Sequence, residues 1–306
     1  MGAVMQRSGA GEVRTKLRRI AIEAGQLPVL RRVAEPVYRR MFQRPYQPDV
    51  QYYGIYDSYA EALSDAPPTL PTGYDVEASG RMYRNHLDQI KVSDYPVLHW
   101  LSRLLAAGSR EVFDLGGHIG LSYYGFRRYL DYPADLRWLV HDVPAVVSAG
   151  REWAVSHDPE RRLAFTDSRQ DADGAGILFT SGALQYLDYT LAELLQQLPR
   201  PPEHVLVNIV PMHPSRSYFT LQNIGFAICP YRIAAVPEFV AGMQALGYAI
   251  VDRWQSFERH LQVPFAAGCD IDSYHGFYFR RQPEVPSAAM PAWKAEPIAA
   301  PHSAVA

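Results

Sequence analysis

The stretch Glu111-Val112-Phe113-Asp114-Leu115-Gly116-Gly117-His118-Ile119-Gly120 restricts the folds open to this 306-residue chain more than any other. In order, it is a short apolar strand ending in an acid, a glycine-rich turn and the start of a helix. Ile119, Tyr123, Phe126 and Leu130 follow at helical spacing and line one face, while Arg127 and Arg128 fall between them toward solvent. A strand that feeds a helix through closely spaced glycines brings backbone N–H groups, and the positive end of a helix dipole, to the mouth of a sheet. Open α/β sheets bind nucleotide-like ligands at such mouths.

The alternation of strand and helix after residue 111 predicts a mainly parallel sheet covered on both faces. Arg137–His141 is a second strand, closed by Asp142, and Pro144 opens a helix that carries Val147 and Trp153. Leu163–Phe165 is a third strand ending at Thr166-Asp167, and Ile177–Ser181 a fourth. Thr190 and Glu193 form a capping-box pair ahead of Leu191, Leu194, Leu195 and Leu198. Val205–Val210 is apolar enough to be a central fifth strand. A helix begins near Pro237, carries Phe239, Met243 and Leu246, and stops at Gly247. Tyr248–Trp254 and Gly276–Arg280 follow with no helix-length pattern between them, so they are expected to be antiparallel neighbours.

The remaining segments divide by composition. Residues 1–50 form a basic extension in which Val13, Leu17, Ile20, Ala24 and Leu27 repeat at helical spacing, and Pro28 and Pro36 are expected to cut it into short helices. It reads either as an amphipathic helix docked on an anionic membrane face or as a solvated helix packed on the body. Residues 51–105 carry clustered tyrosines, a Pro-rich turn and a helix over Tyr95–Leu105, and are expected to form a helical lid or substrate wall. Residues 106–281 form the main domain, and the Pro/Ala-rich stretch 282–306 is expected to be disordered. A net charge of -2 gives no reason to expect a nucleic-acid partner. The two cysteines are too few for a disulfide framework, and neither an apolar span of membrane length nor a signal-peptide core is evident. The expectation is a cytoplasmic protein, with peripheral contact to the inner membrane face through the basic extension as the alternative.

Asp114, Asp142 and Asp167 sit at or near the ends of successive strands, so a parallel sheet would gather them on one rim. Asp142 lies about twenty residues past the glycine turn, the spacing at which an acid accepts hydrogen bonds from ribose hydroxyls. Together these features point to a nucleoside-containing cofactor. The segment Asp114-Leu115-Gly116-Gly117-His118-Ile119-Gly120 resembles the first motif of class I S-adenosylmethionine (SAM)-dependent methyltransferases, Asp/Glu-x-Gly-x-Gly-x-Gly, with His118 where a glycine usually stands. From about residue 52 to 280 the chain resembles a bacterial family of putative methyltransferases associated with surface polysaccharide and lipopolysaccharide genes. The residues that carry this second resemblance are Tyr53-Gly54-Ile55-Tyr56, Gly73-Tyr74-Asp75, Ser122-Tyr123-Tyr124, Trp138 to Pro144, Ser181 to Leu187, Thr220-Leu221-Gln222-Asn223 and Gly247-Tyr248.

The resemblance implies an α/β, Rossmann-like, seven-stranded sheet with an antiparallel last strand, helices on both faces, and SAM as methyl donor. It implies that Asp114, Gly116, Gly117 and Gly120 cradle the methionyl end, with the His118 side chain crowding or tuning that end. Asp142 would hold the ribose, Asp167 and Ser168 flank the adenine, and Ser181 and Gly182 line the pocket near the sulfonium. His213 and His275 are the candidate bases for a hydroxyl acceptor, with Tyr186 as an orienting group. No close cluster of Asp, His and Glu recommends a metal. The expected activity is O-methylation of a small or sugar-containing acceptor, in surface glycan biosynthesis. Two other readings stay open: a methyltransferase-like binding or scaffold module, and an NAD-dependent oxidoreductase, whose Gly-x-Gly-x-x-Gly fingerprint differs from the spacing here.

Overall fold

The computed structural model describes residues 27–45, 51–76, 79 and 87–283. The amphipathic pattern ahead of Leu27 and the tail from residue 284 on lie outside the described residues. Helix α1 (Pro28–Phe42) leads to β1 (Tyr52–Tyr56), α2 (Tyr59–Asp65) and α3 (Tyr95–Ala106). Pro28 occupies the first turn of α1, but Pro36 sits inside it without ending it. The expected break is therefore absent. Pro36 lies on the exposed face, where the carbonyl it leaves without an N–H partner can be hydrated. Tyr38 and Phe42 bury the opposite face, and the Tyr38 hydroxyl donates to the Tyr52 carbonyl at 3.0 Å.

The seven expected strands all form: β2 (Glu111–Leu115), β3 (Arg137–His141), β4 (Leu163–Thr166), β5 (Ile177–Ser181), β6 (His204–His213), β9 (Tyr248–Ser256) and β10 (Tyr274–Arg281). They lie in the order β4-β3-β2-β5-β6-β10-β9. The pairs β3–β4, β2–β3, β2–β5 and β5–β6 are parallel. Only β10 is reversed, running antiparallel to both β6 and β9.

Among the described residues the sheet has ten strands rather than seven. The extra strands are β1, β7 (Tyr218–Asn223) and β8 (Ile228–Ala235), with β1–β7 and β7–β8 antiparallel. They join the rest where β8 runs parallel to β6 at Met212 and His213. Thus β6 serves two sheet regions along its length: it pairs β5 as far as Asn208 and β10 as far as Pro211, and its last two residues pair β8. Ile209, at φ 56, marks the irregularity between them, opposite the register shift at His275/Phe277 in β10. The segment expected to be a helical lid therefore contributes a sheet strand, β1, beside its helices.

Helices cover both faces. On one face α3, α4 (Leu121–Phe126) and α5 (Pro144–His157) bury Leu98, Leu101, Tyr123, Phe126, Val147 and Trp138. On the other, α6 (Leu191–Gln196) and α7 (Val236–Ala245) pack Leu191, Leu194, Leu195 and Met243 on Phe113, Val205, Phe277 and Phe279. The capping box forms: the Glu193 N–H donates to Thr190 Oγ1 at 3.1 Å, and the Thr190 N–H donates to Glu193 Oε2 at 2.6 Å. Helix α4 stops at Phe126, short of Leu130. The chain turns there through N–H groups of Tyr129 and Leu130 bonded to the Phe126 carbonyl, and Leu130 still reaches the same core.

Candidate active site

The parallel strands β2, β3 and β5 end on one rim, and a cavity of about 760 Å³ lies against it. Asp114, Gly116, Gly117, His118, Asp142, Ser181, Gly182 and Tyr186 all line this cavity. Gly116 has φ 72, and a Cβ there would overlap Cβ of Ala183, so only glycine fits both the backbone and the packing. A Cβ on Gly117 would overlap the Asp114 carboxylate tucked beneath the turn. Asp114 is 1% exposed and accepts from Trp138 Nε1 at 3.0 Å. Burial pushes its pKa up to about 7.

Asp142 is held by two backbone donors, with the Val143 N–H to Oδ1 at 2.8 Å and the His118 N–H to Oδ2 at 2.9 Å. Burial raises its pKa to about 6. The odd residue of the turn, His118, takes φ 57 and turns its ring to the Ser79 carbonyl, with Nε2 at 2.7 Å. Burial lowers its pKa to about 4, so at neutral pH Nε2 carries the proton and donates to that carbonyl.

On the other side of β5 the lining changes character. Tyr186 donates to Gln222 Oε1 at 2.7 Å, and Gln222 Nε2 donates to the Tyr52 hydroxyl at 2.9 Å. The Tyr186 ring lies 5.4 Å from that of Tyr74 and 5.2 Å from that of Tyr231. Burial raises the pKa of Tyr52 and Tyr231, which keeps both phenols neutral. Strands β1, β7 and β8, absent from the seven-stranded expectation, supply Tyr52, Gln222 and Tyr231 to this wall.

Between the two regions stands Asp94, just ahead of α3. Its Oδ1 accepts from Asn208 Nδ2 at 3.0 Å and its Oδ2 from the Lys91 backbone N–H at 2.8 Å. Asn208 also reaches Ser181 Oγ at 3.3 Å, and its Oδ1 accepts from Trp254 Nε1 at 3.0 Å. That last bond needs the Trp254 ring to cross β10 at Gly276, where any Cβ would collide with it. Burial raises the pKa of Asp94.

Five of the expected site residues are not brought to the cavity. Gly120 has φ 91 and opens α4 behind the turn. Asp167 is exposed beyond β4, while Ser168 donates its N–H to Thr166 Oγ1 at 3.0 Å. His213 pins the loop that follows β6: Nδ1 accepts from the N–H groups of Ser215 and Arg216, each at 3.2 Å, and Nε2 lies 3.1 Å from the Gly268 carbonyl. His275 is buried on β10, where the Arg253 guanidinium donates to Nδ1 at 3.2 Å; burial brings its pKa down to about 4. Both histidines have their lone pairs engaged by the fold, away from the cavity. Conversely, Lys91, Asp94 and Arg259 line it without any chemical signature in the sequence: a helix entry and a loop residue between β9 and β10. No group of three or more His, Cys, Asp or Glu able to hold a metal exists among the described residues.

No family model matches the chain, and no curated protein matches it. Among solved structures it is similar to a Burkholderia thailandensis 1,6-didemethyltoxoflavin N1-methyltransferase, with a TM-score of 0.46, 16% identity, and 78% of this chain and 100% of that one covered. It is also similar to the magnesium protoporphyrin IX methyltransferase of Synechocystis PCC 6803, with a TM-score of 0.42, 12% identity, and 68% and 93% covered. A protein described as a pericyclic reaction enzyme follows, with a TM-score of 0.43, 15% identity, and 67% and 53% covered. Likeness of this degree decides nothing about chemistry, which rests on the cavity itself.

Proposed function

We propose that the protein is a SAM-dependent methyltransferase acting on a small, hydroxyl-bearing acceptor, in its finer form a sugar-containing one used in surface glycan assembly. The observation that carries the reading is a single cavity with two unlike ends. One is the glycine turn with Asp142, and the other is the tyrosine wall. The first end suits the cofactor. Two backbone N–H groups fix the Asp142 carboxylate, and each of its oxygens keeps a second lone pair for a ribose hydroxyl. Gly116, Gly117 and Gly182 leave the floor without side chains for the methionyl end. The His118 ring is held on Ser79, which frees the turn from the crowding that its place in the motif implies.

The bound cofactor supplies an electrophilic methyl group on a sulfonium sulfur. The chain's own task is alignment and proton removal. Tyr74, Tyr186 and Tyr231 offer faces against which an acceptor ring can lie, with the Tyr186 hydroxyl fixed by Gln222. Asp94, in place of His213 and His275, is the base in this reading. It faces the cavity, is tied to Ser181 through Asn208, and is made more basic by burial. Asp94 would take the proton of the acceptor hydroxyl, whose oxygen would bond the methyl carbon as the carbon–sulfur bond of the sulfonium breaks and S-adenosylhomocysteine leaves.

Methyl transfer is tested by mass spectrometry of glycan precursors incubated with the protein and SAM. A gain of about 14 Da supports the reading. Binding of SAM without any methylated product across such precursors favours a binding module instead.

The reading extends to peripheral membrane contact. No helix among the described residues is long and apolar enough to cross a membrane. Helix α1, however, exposes Leu30, Val33 (72% exposed) and Val37 along one stripe, with Arg32, Arg39 and Arg40 also exposed. That combination suits an anionic lipid surface. Co-sedimentation with phosphatidylglycerol vesicles, but not with phosphatidylcholine vesicles, is expected for the full chain. Equal recovery with both would remove the idea.

A further inference from the structure

The cavity is lined by charges of both signs: Asp75, Asp94, Asp114 and Asp142, and the cations Lys91 and Arg259. Neither cation has an ion-pair partner within reach among the described residues. Some cations elsewhere on the protein do, such as Arg110 with Asp135 at 2.8 Å and Arg200 with Asp173 at 2.9 Å, whereas others, such as Arg216 and Arg253, form no ion pair among the described residues either. Asp94, the carboxylate beside Lys91, spends its two oxygens on the Asn208 amide and the Lys91 backbone N–H. Arg259 lies 6.0 Å from the centre of the Tyr274 ring, whose hydroxyl is bonded to that of Tyr231 at 2.9 Å. Crowding by the surrounding atoms and then the Arg259 charge push the Lys91 pKa down, while Asp94 pushes it up.

Lys91 and Arg259 are both exposed, so their charged ends stand open to a ligand in the cavity that they line. Among the described residues Asp94 is the carboxylate beside Lys91, three positions along the chain, and its two oxygens are already engaged. We propose that the acceptor carries an anionic group, a carboxylate or a phosphate ester, which is seated between Lys91 and Arg259 in the cavity wall. The guanidinium offers a planar pair of donors and the ammonium a point charge, a combination that suits either oxyanion. The acceptor's hydroxyl would then point back toward Asp94 and Ser181, which are linked through Asn208. The word acceptor rests on the methyl-transfer reading; the anion site itself does not.

The test uses the full chain and three probes: glucuronate for a carboxylate, glucose 1-phosphate for a phosphate ester, and glucose as the neutral control. Each is titrated calorimetrically into the wild type, Lys91→Met and Arg259→Gln, with and without saturating S-adenosylhomocysteine. One charged probe is expected to bind at least tenfold more tightly than glucose and to weaken as salt rises; which one binds identifies the oxyanion. Each substitution is expected to weaken that probe by about tenfold, the cost of one charge-assisted contact. S-adenosylhomocysteine affinity is expected to stay unchanged, which also reports that the variants are folded. Charged probes that bind the wild type no better than glucose, or that bind both variants as well as the wild type, would overturn the proposal. Failure of S-adenosylhomocysteine to bind would overturn the methyl-transfer reading, while the anion arms measured without it would still decide the site.

Discussion

Replacing Asp114 by Asn separates the electrical cost of this acid from its structural role. Asp114 is buried and keeps its proton in the folded protein up to about pH 7, against a reference of 3.8 for an exposed carboxyl. Between those two values the folded chain holds a proton that the unfolded chain has released. Stability therefore falls as pH rises through that window and levels off above about pH 7. Taken over the whole interval at about 1.4 kcal/mol per pH unit, the loss is about 4 kcal/mol. Asn keeps an oxygen for Trp138 Nε1, so the hydrogen bond at 3.0 Å is retained while the ionisation is removed. Asp142 carries a shift of the same sign, to about 6, and its charge is one of the causes that raise Asp114. Urea unfolding from pH 4.5 to 8.5 is the assay. The variant should gain on the wild type steadily as pH rises and reach a plateau advantage above about pH 7. Parallel stability curves would refute the reasoning, because they would mean that the buried carboxyl ionises as freely in the fold as out of it.

Two further substitutions probe the turn and the proposed base. Gly116→Ala adds a left-handed Ala and a clash with Ala183, for a loss of about 2–4 kcal/mol in urea unfolding. Adding Ala183→Gly should recover the packing part alone, and full recovery would mean that the backbone conformation costs nothing. Asp94→Asn should lower kcat by about 10²–10⁴-fold while leaving S-adenosylhomocysteine affinity intact. Because burial raises the Asp94 pKa, the wild-type rate should climb as pH rises through that raised value, and the climb should vanish in the variant. An unchanged pH profile would remove Asp94 from the chemistry.

What was legible in the sequence was whatever local pattern decides. All seven strands of the main sheet alternate or run apolar, and the missing helix between Tyr248–Ser256 and Tyr274–Arg281 was enough to reveal the reversed β10. The glycine turn was legible because only glycine satisfies Gly116 and Gly117. The second sheet region was hidden. Strand β1 finds its partner β7 about 170 residues along the chain, as Tyr52 opposite Gln222 shows, and short tyrosine-rich segments carry no period that says so. The histidines misled for a related reason. A histidine near a strand end looks like a base until its ring nitrogens are traced, and those of His213 and His275 serve Gly268, Ser215, Arg216 and Arg253. Asp94 was missed because an acid ahead of a helix reads as a cap. Only the tertiary contact with Asn208, 114 residues along, sets it in the cavity wall.

The most direct test of the cofactor reading is isothermal calorimetry with SAM and, separately, NAD on the wild type and Asp142→Ala. SAM is expected to bind the wild type in the micromolar range with one site per chain, NAD to give no heat, and Asp142→Ala to lose SAM binding while unfolding at a similar urea midpoint. Preference for NAD, no binding of either, or SAM affinity untouched by the loss of Asp142 would contradict it.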